Sequence, residues 1–327
     1  MHALVVHSYG RPDDPSVLRL SEKRIPHPGS GEVLIQVSHA ALNRFDVRIM
    51  EGEFEPFASL CFPYTPGMDF SGVVVACGKE SHRFHPGDEV MGRVHEGACA
   101  GYVIAEEREL THKPARLSFA EAACIPVPCM TALQAFHSLD LSPESRLLVL
   151  GGDSSVGRAI IQVAKHRGVV VVATCDTDCG ADEMLSSDAD WETVLCQRGR
   201  RVNNVIDTVG DDRAFSRAKN VLRDISHATY LTVSGKAVEK RKLSHMMAFS
   251  FKTAFRRMVS RPNYVWLWLD DTTLISGIRV LEMARELCDK GVFRALVGSE
   301  YPLDSFREAF AALAQNHGQG RVVLKMH

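Results

Sequence analysis

None of the nine cysteines of this chain (61, 77, 99, 124, 129, 175, 179, 196 and 288) stands in C-x-x-C spacing with another. An odd, scattered set in 327 residues is not a disulfide framework, and it points to reduced thiols in a cytosol-like compartment. No apolar run is long enough to span a bilayer. The opening MHALVVHSYGRPDD has no cationic segment ahead of an apolar stretch, and it lacks the Arg- and Ser-rich character of a transit peptide. A cytoplasmic location is the expectation, with an organelle open if the chain has been trimmed. An excess of one charge is missing too: 38 Lys and Arg face 40 Asp and Glu, for a net charge of −2. That leaves no electrostatic footprint for nucleic acid or an anionic membrane. There is no internal repeat and no low-complexity segment.

The composition, 45% hydrophobic and 24% charged, is that of a globular protein with room for two domains. The most informative stretch is Arg146 to Gly168, RLLVLGGDSSVGRAIIQVAKHRG. The apolar run Leu147 to Leu150 reads as a buried parallel strand. A small-residue loop follows, then Ala159, Ile160, Val163 and Ala164 at helical spacing, with Gly168 at the C-terminal cap. Val169 to Ala173 is a second buried strand. Strand, glycine loop, helix, strand is the first unit of a dinucleotide-binding fold, with phosphate on the free N–H groups at the helix head. The pattern G-x-G-x-x-G would need glycines at 152, 154 and 157. Ser154 stands at the middle position, small and with a hydroxyl able to donate to a phosphate oxygen. Asp153 opposes phosphate unless it faces solvent. Gly152, Ser154, Ser155, Val156 and Gly157 are the candidate phosphate-binding residues. The plainer alternative is a turn whose glycines serve only packing.

From Met1 to about Arg116, short strands alternate with turns: Ala3 to His7, Val17 to Ser21, Glu32 to Ala41, Gly72 to Ala76, Glu89 to Gly92 and Gly101 to Ile104. One helix, Asn43 to Met50, interrupts a mainly β, barrel-like domain. At Ser118 the character changes: Ser118 and Glu121 form a capping box. Pro126 and Pro128 are expected to interrupt that helix, with another starting at Thr131. Strand and helix then alternate through Asn204 to Thr208, Asp212 to Leu222 and Ala228 to Val233, the pattern of a doubly wound parallel sheet. Leu243 to Leu269 mixes aromatics with Lys252, Arg256, Arg257 and Arg261. It reads as helix plus strand rather than a nucleic-acid patch. A helix from Leu274 to Lys290 ends at Gly291, and the tail reads strand, helix (Leu303 to Gln315), turn, strand (Arg321 to Met326).

Several stretches together resemble the medium-chain dehydrogenase/reductase superfamily, in its zinc-free quinone-oxidoreductase-like (zeta-crystallin-like) branch. They are ALNRFDVRIMEG (41–52), FPYTPGMDFSGVV (62–74), FHPGDEVMG (84–92), LSFAEAACIPVPCMTALQAF (117–136), the loop and helix of 151–165, NVIDTVG (204–210) and GQGRVVL (318–324). The resemblance implies an α/β protein: a GroES-like β-barrel domain (1–117), a Rossmann doubly wound parallel-sheet domain (118–299), and a return to the barrel (300–327). It implies a cleft between the two for nicotinamide and substrate. Zinc members carry a catalytic cysteine, a G-H-E motif and a four-cysteine lobe. Here the motif reads Gly67-Met68-Asp69, Asn43 and Asp46 stand where the cysteine would, and the region just after Gly92 offers only Cys99 instead of a four-cysteine lobe. Zn²⁺ needs three or four converging ligands, so no metal is expected, and Cys61, His95 and Cys99 read as ordinary residues.

Without a Lewis acid, the implied chemistry is hydride transfer from NADPH, with NADH not excluded, to a quinone or an α,β-unsaturated carbonyl. The resemblance puts Asn43 and Asp46 near the nicotinamide, Tyr64 in the pocket, and Thr131 at the nicotinamide ribose or amide. It runs Val209-Gly210 and Thr232-Val233-Ser234 along the cofactor. Asn43 also reads as a helix cap, and Asp69 as an acceptor for turn amides. Thr174 and Cys175 end the second strand, where a small neutral residue admits a 2′-phosphate. Asp176 and Asp178 would repel one. Cys179 runs directly into Gly180-Ala181-Asp182, so the helix that follows this strand in the family is missing or shortened. That keeps open a second reading, a weak or inactive member acting as a scaffold. A homodimer is implied, with Tyr264 to Leu269 placed either at its surface or in the core.

Overall fold

The computed structural model describes residues 1–54, 60–211, 213–233, 261–267, 277–315 and 318–327. It divides into two units, Met1–Pro128 with Ile275–His327, and Cys129–Leu274. In chain order come β1 (His2–Val6), β2 (Leu18–Glu22), β3 (Glu32–Ala41), α1 (Arg44–Met50), β4 (Asp69–Cys77), β5 (Glu89–Arg93), β6 (Tyr102–Glu106), β7 (Leu110–His112), α2 (Phe119–Ala123) and α3 (Pro126–His137). Next are β8 (Arg146–Leu150), α4 (Ser155–His166), β9 (Val170–Thr174), β10 (Glu183–Leu185), α5 (Trp191–Gln197), β11 (Asn204–Asp207), α6 (Ala214–Val221), β12 (Thr229–Thr232) and β13 (Asn263–Trp266). The tail holds α7 (Gly277–Asp289), β14 (Val297–Pro302), α8 (Phe306–Gln315) and β15 (Arg321–Lys325).

In the first unit one sheet runs β14-β15-β3-β4-β5-β7, with β6 also on β3, beside the antiparallel pair β1-β2. Its pairings are antiparallel except β14–β15. The apolar side chains Leu4, Ile35, Phe70, Phe84 and Leu110 close its core, the barrel-like body that the short strands predict. Ser118 caps α2 as expected: its hydroxyl accepts from the Glu121 N–H at 3.2 Å, and the Glu121 carboxylate accepts from the Ser118 N–H at 2.8 Å.

One expectation shifts here. The second helix begins at Pro126, not Thr131. Proline is at home in a first helical turn, where its missing N–H would have had no partner, so Pro126 and Pro128 open α3 instead of breaking it. The two units divide at 128/129 and 274/275, and α2 and α7 pack on the barrel. Ser71 Oγ donates to the Phe119 carbonyl at 2.6 Å. Glu282 on α7 accepts from Arg83 and from Thr111 of β7, at 2.9 and 3.0 Å.

In the second unit six parallel strands take the order β10-β9-β8-β11-β12-β13, the order of a dinucleotide-binding sheet. The α4 helix buries Ala159, Ile160, Ile161, Val163 and Ala164, the face its spacing predicts. Gly168 (φ +73°) ends it in the left-handed region. No helix joins β9 to β10; residues 175–182 cross as a loop. The crossover stays short because Glu183 pairs with Val172, so the chain retreats by only about two residues, roughly 7 Å. Tyr264 is core rather than surface: it stacks on Tyr230 at 5.9 Å and meets Phe215 edge-on at 5.0 Å. Most of the Leu243 to Leu269 segment, Lys252, Arg256 and Arg257 included, lies outside the described residues.

Candidate functional site

The turn between β8 and α4 is built by close approach. Gly151 has φ +81°, and a Cβ there would stand 2.5 Å from Thr208 Oγ1. A Cβ on Gly157 would stand 2.2 Å from the Gly151 carbonyl oxygen. Both positions therefore require glycine. The Gly151 N–H donates to Thr174 Oγ1 at 2.9 Å and the Gly152 N–H to the Thr174 carbonyl at 2.8 Å, so Thr174 pins the turn to β9. Ser154 is the N-cap of α4. Its hydroxyl accepts from the Gly157 N–H at 3.0 Å and donates towards the Gly151 carbonyl at 2.8 Å, with Thr208 Oγ1 at 3.1 Å. That hydroxyl is engaged within the turn. The backbone supplies the donors: the N–H groups of Ser155 and Val156, both half-buried, have no acceptor among the described residues.

At the end of β9, Cys175 is turned inward, its sulfur 3.1 Å from that of Cys179. Asp153 turns towards this strand end, and its carboxylate accepts from the Asp176 N–H at 3.3 Å. Arg158, in the first turns of α4, donates to the Asp178 carbonyl at 2.6 Å and to Thr177 Oγ1 at 2.8 Å. A cation thus stands where the sequence after β9 offers none. At the end of β11 the buried Asp207 accepts from the Val209 and Gly210 N–H groups at 2.8 and 2.9 Å and from the Tyr230 hydroxyl at 2.7 Å. This folds the Val209-Gly210 turn and consumes its amides. Thr131 and Thr232 are buried on α3 and β12, and Ser234 lies outside the described residues.

The catalytic candidates lie in the other unit, around an ion pair that local reading missed. Arg321 on β15 donates to Asp69 Oδ2 at 2.6 Å, to Asn43 Oδ1 at 2.8 Å, and to the Ala41 and Leu42 carbonyls at 3.2 and 3.3 Å. Asp69 also accepts from the Val127 N–H at 2.8 Å and from Asn43 Nδ2 at 3.2 Å. Asn43 is the N-cap of α1, and its side-chain amide is held by this cluster. Among the described residues, no three His, Cys, Asp or Glu side chains converge as metal ligands would. Met68 is packed in the interior.

Asp46 accepts from the Asn43 N–H at 2.8 Å. Burial pushes its carboxyl up to about 7, helped by the nearby Asp69 and opposed by the Asn43 hydrogen bonds and Arg321. Tyr64, 4% exposed, keeps a hydroxyl without a hydrogen-bond partner among the described residues; burial and the neighbouring Asp46 charge raise its phenol. Because the folded chain holds the Asp46 proton up to about pH 7 and the unfolded chain releases it near 3.8, the folded state binds more protons between those values. The stability this group contributes is whole below about pH 4, drains away as pH rises towards 7, and is absent above. Asp46→Asn keeps an acceptor for the Asn43 N–H and should flatten the profile. Urea unfolding from about pH 5 to about pH 8 should show the parent losing about 2–3 kcal/mol relative to Asp46→Asn.

Residues 29–128 match the family described as the alcohol dehydrogenase GroES-like domain, and residues 179–324 the family described as zinc-binding dehydrogenase. The mouse protein named NAD(P)H oxidoreductase RTN4IP1, mitochondrial, is 29% identical and covers 100% of this chain and 89% of its own length. The spinach protein named quinone-oxidoreductase homolog, chloroplastic, is 28% identical over 99% of this chain and 98% of its own. A crystal structure described as an NAD-dependent alcohol dehydrogenase superposes with a TM-score of 0.81 at 27% identity, over 100% of both chains. With both domain families matched in chain order and the whole length alike in sequence and fold, the chain belongs to the medium-chain dehydrogenase/reductase superfamily.

Proposed function

We propose that this chain is an NAD(P)H-dependent oxidoreductase that reduces a quinone or an α,β-unsaturated carbonyl without zinc. The observation that carries the reading is the pair of open amides, Ser155 and Val156, at the head of α4, in a turn closed by Gly151 and Gly157. A diphosphate fits there: two N–H donors and the positive end of the helix dipole face it. Reduced nicotinamide, when bound, supplies the hydride. The chain's own residues hold the diphosphate at Ser155 and Val156 and brace that turn through Thr174 and Thr208. A carbonyl oxygen that gains negative charge needs a proton. Asp46 holds one near neutrality, and the buried Tyr64 hydroxyl has a hydrogen bond to give. Asn43 fixes the start of α1, on which Asp46 stands. The reading without zinc rests on donor chemistry, a thioether at Met68 and no converging ligand set among the described residues.

The cofactor proposed is NADPH, with Arg158 as the cation near its 2′-phosphate. Asp153, Asp176 and Asp178 oppose that charge, so the preference over NADH should stay below about tenfold. The assembly proposed is a homodimer, and the compartment the cytoplasm, in keeping with nine free cysteines. One observation favours the scaffold reading: the helix-free loop 175–182 and the Asp153 carboxylate crowd the adenosine side with negative charge. Titration of tryptophan fluorescence with each cofactor, with turnover of a simple para-quinone, separates the two. Micromolar NADPH binding with turnover is the expected result. Absence of binding at millimolar cofactor would leave the scaffold standing.

A further inference from the structure

We propose that Cys175 and Cys179 are a reversible disulfide site that locks the β9–β10 loop onto the turn at the head of α4. The two sulfurs lie 3.1 Å apart, each residue 5% exposed, on a loop with no helix of its own. A disulfide needs about 2.05 Å, so each sulfur has roughly half an ångström to travel. Backbone anchors hold this approach. The Cys175 N–H donates to the Leu185 carbonyl at 2.8 Å, and Arg158 holds Thr177 and Asp178 between the two cysteines. Gly180 (φ +78°) then reverses the chain, with its N–H on Asp178 Oδ1 at 2.9 Å. The Cys179 sulfur rests against the turn itself: a Cβ built on Gly152 would stand 3.2 Å from it. The site stands on these contacts and does not depend on the cofactor reading.

The co-reactant is a low-molecular-weight disulfide such as oxidised glutathione. Cys175 is anchored at the end of β9 by its N–H to the Leu185 carbonyl, and burial raises its thiol, so Cys179 on the loop is the first nucleophile. Cys179 sits between the exposed residues Asp178 and Gly180. Local opening of the loop lets its thiolate attack one sulfur of the oxidant, giving a mixed disulfide and one released thiol. The Cys175 thiol then gives up its proton and attacks the Cys179 sulfur, forming the internal bond and expelling the second thiol. Two protein thiols lose two electrons, and one external disulfide becomes two thiols.

The test is incubation of the folded, reduced chain in glutathione redox buffers, followed by alkylation and peptide mass spectrometry. The peptide holding both cysteines should become lighter by two hydrogens, with at least about tenfold greater oxidation than any of the other seven. Cys175→Ser should trap Cys179 as a mixed disulfide with glutathione, whereas Cys179→Ser should leave Cys175 reduced. Amide exchange within 175–182 should slow by about tenfold on oxidation, since the cross-link removes open states. Alkylation of both cysteines in oxidising buffer while the chain stays folded would overturn the proposal. So would bond formation only in urea, or unchanged exchange after oxidation.

Discussion

Arg321→Ala should destabilise the first unit by about 3–5 kcal/mol, because it leaves a buried carboxylate without its counter-charge. Asp69 is 0% exposed and Arg321 6%, so neither can turn to water. The guanidinium spreads its donors over Asp69, Asn43 and the carbonyls at the end of β3, and thereby joins β15, β3 and β4. Val127 hangs the first turn of α3 on the same carboxylate. Arg321→Lys should recover little, since one ammonium cannot fork across acceptors on two sides. Arg321→Ala combined with Asp69→Asn should be more stable than Arg321→Ala alone, because the stranded charge is gone. Urea unfolding of the parent, Arg321→Ala, Asp69→Asn and the double variant closes a double-mutant cycle that reads this directly. A single Arg321→Ala variant within about 1 kcal/mol of the parent would show that the pair is not the tie it resembles.

This ion pair also marks where sequence reading stops. Arg321 stands at the head of the apolar run Val322-Val323-Leu324 and looks like the edge of an ordinary strand. Its partner Asn43 is 278 residues away, and no periodicity reports a contact at that range. Asn43 and Asp46 were therefore legible as residues of interest and as a cap, but not as neighbours of a buried guanidinium. Local rules did better where the physics is local. The turn before α4, the Ser118 capping box and the Gly168 cap all follow from residue types a few positions apart. The missing helix after β9 was legible from chain length alone, since the five residues from Cys175 to Cys179 leave no room for one ahead of Gly180-Ala181-Asp182. The α3 start went astray through a local rule read in one direction: proline breaks a helix interior but suits its first turn. Arg158 and Thr208 were overlooked as ordinary helix and strand-end residues. The signal that could have found them is position, since each lies one turn or one strand from the glycine loop.

Gly157→Ala should weaken NADPH binding by about a hundredfold and cost about 1–3 kcal/mol of stability. The added carbon would stand 2.2 Å from the Gly151 carbonyl oxygen and 2.9 Å from the Gly152 Cα, both of them backbone atoms that cannot rotate aside. The helix must then withdraw from the turn by about an ångström, and the Ser155 and Val156 amides go with it. Misplacement on that scale is enough to lose most of the benefit of fixed donors. The Ser154 cap breaks at the same time, because its hydroxyl receives the Gly157 N–H. Gly101→Ala is the control: a Cβ there meets nothing nearer than 3.5 Å, and its stability should stay close to the parent. Fluorescence titration gives the affinity and urea unfolding the stability. If Gly157→Ala lost stability yet bound NADPH as the parent does, the diphosphate would not lie on these amides, and the proposed site would have to be abandoned. If both quantities fall together while Gly101→Ala holds, the close packing of helix on turn is what makes the anion site.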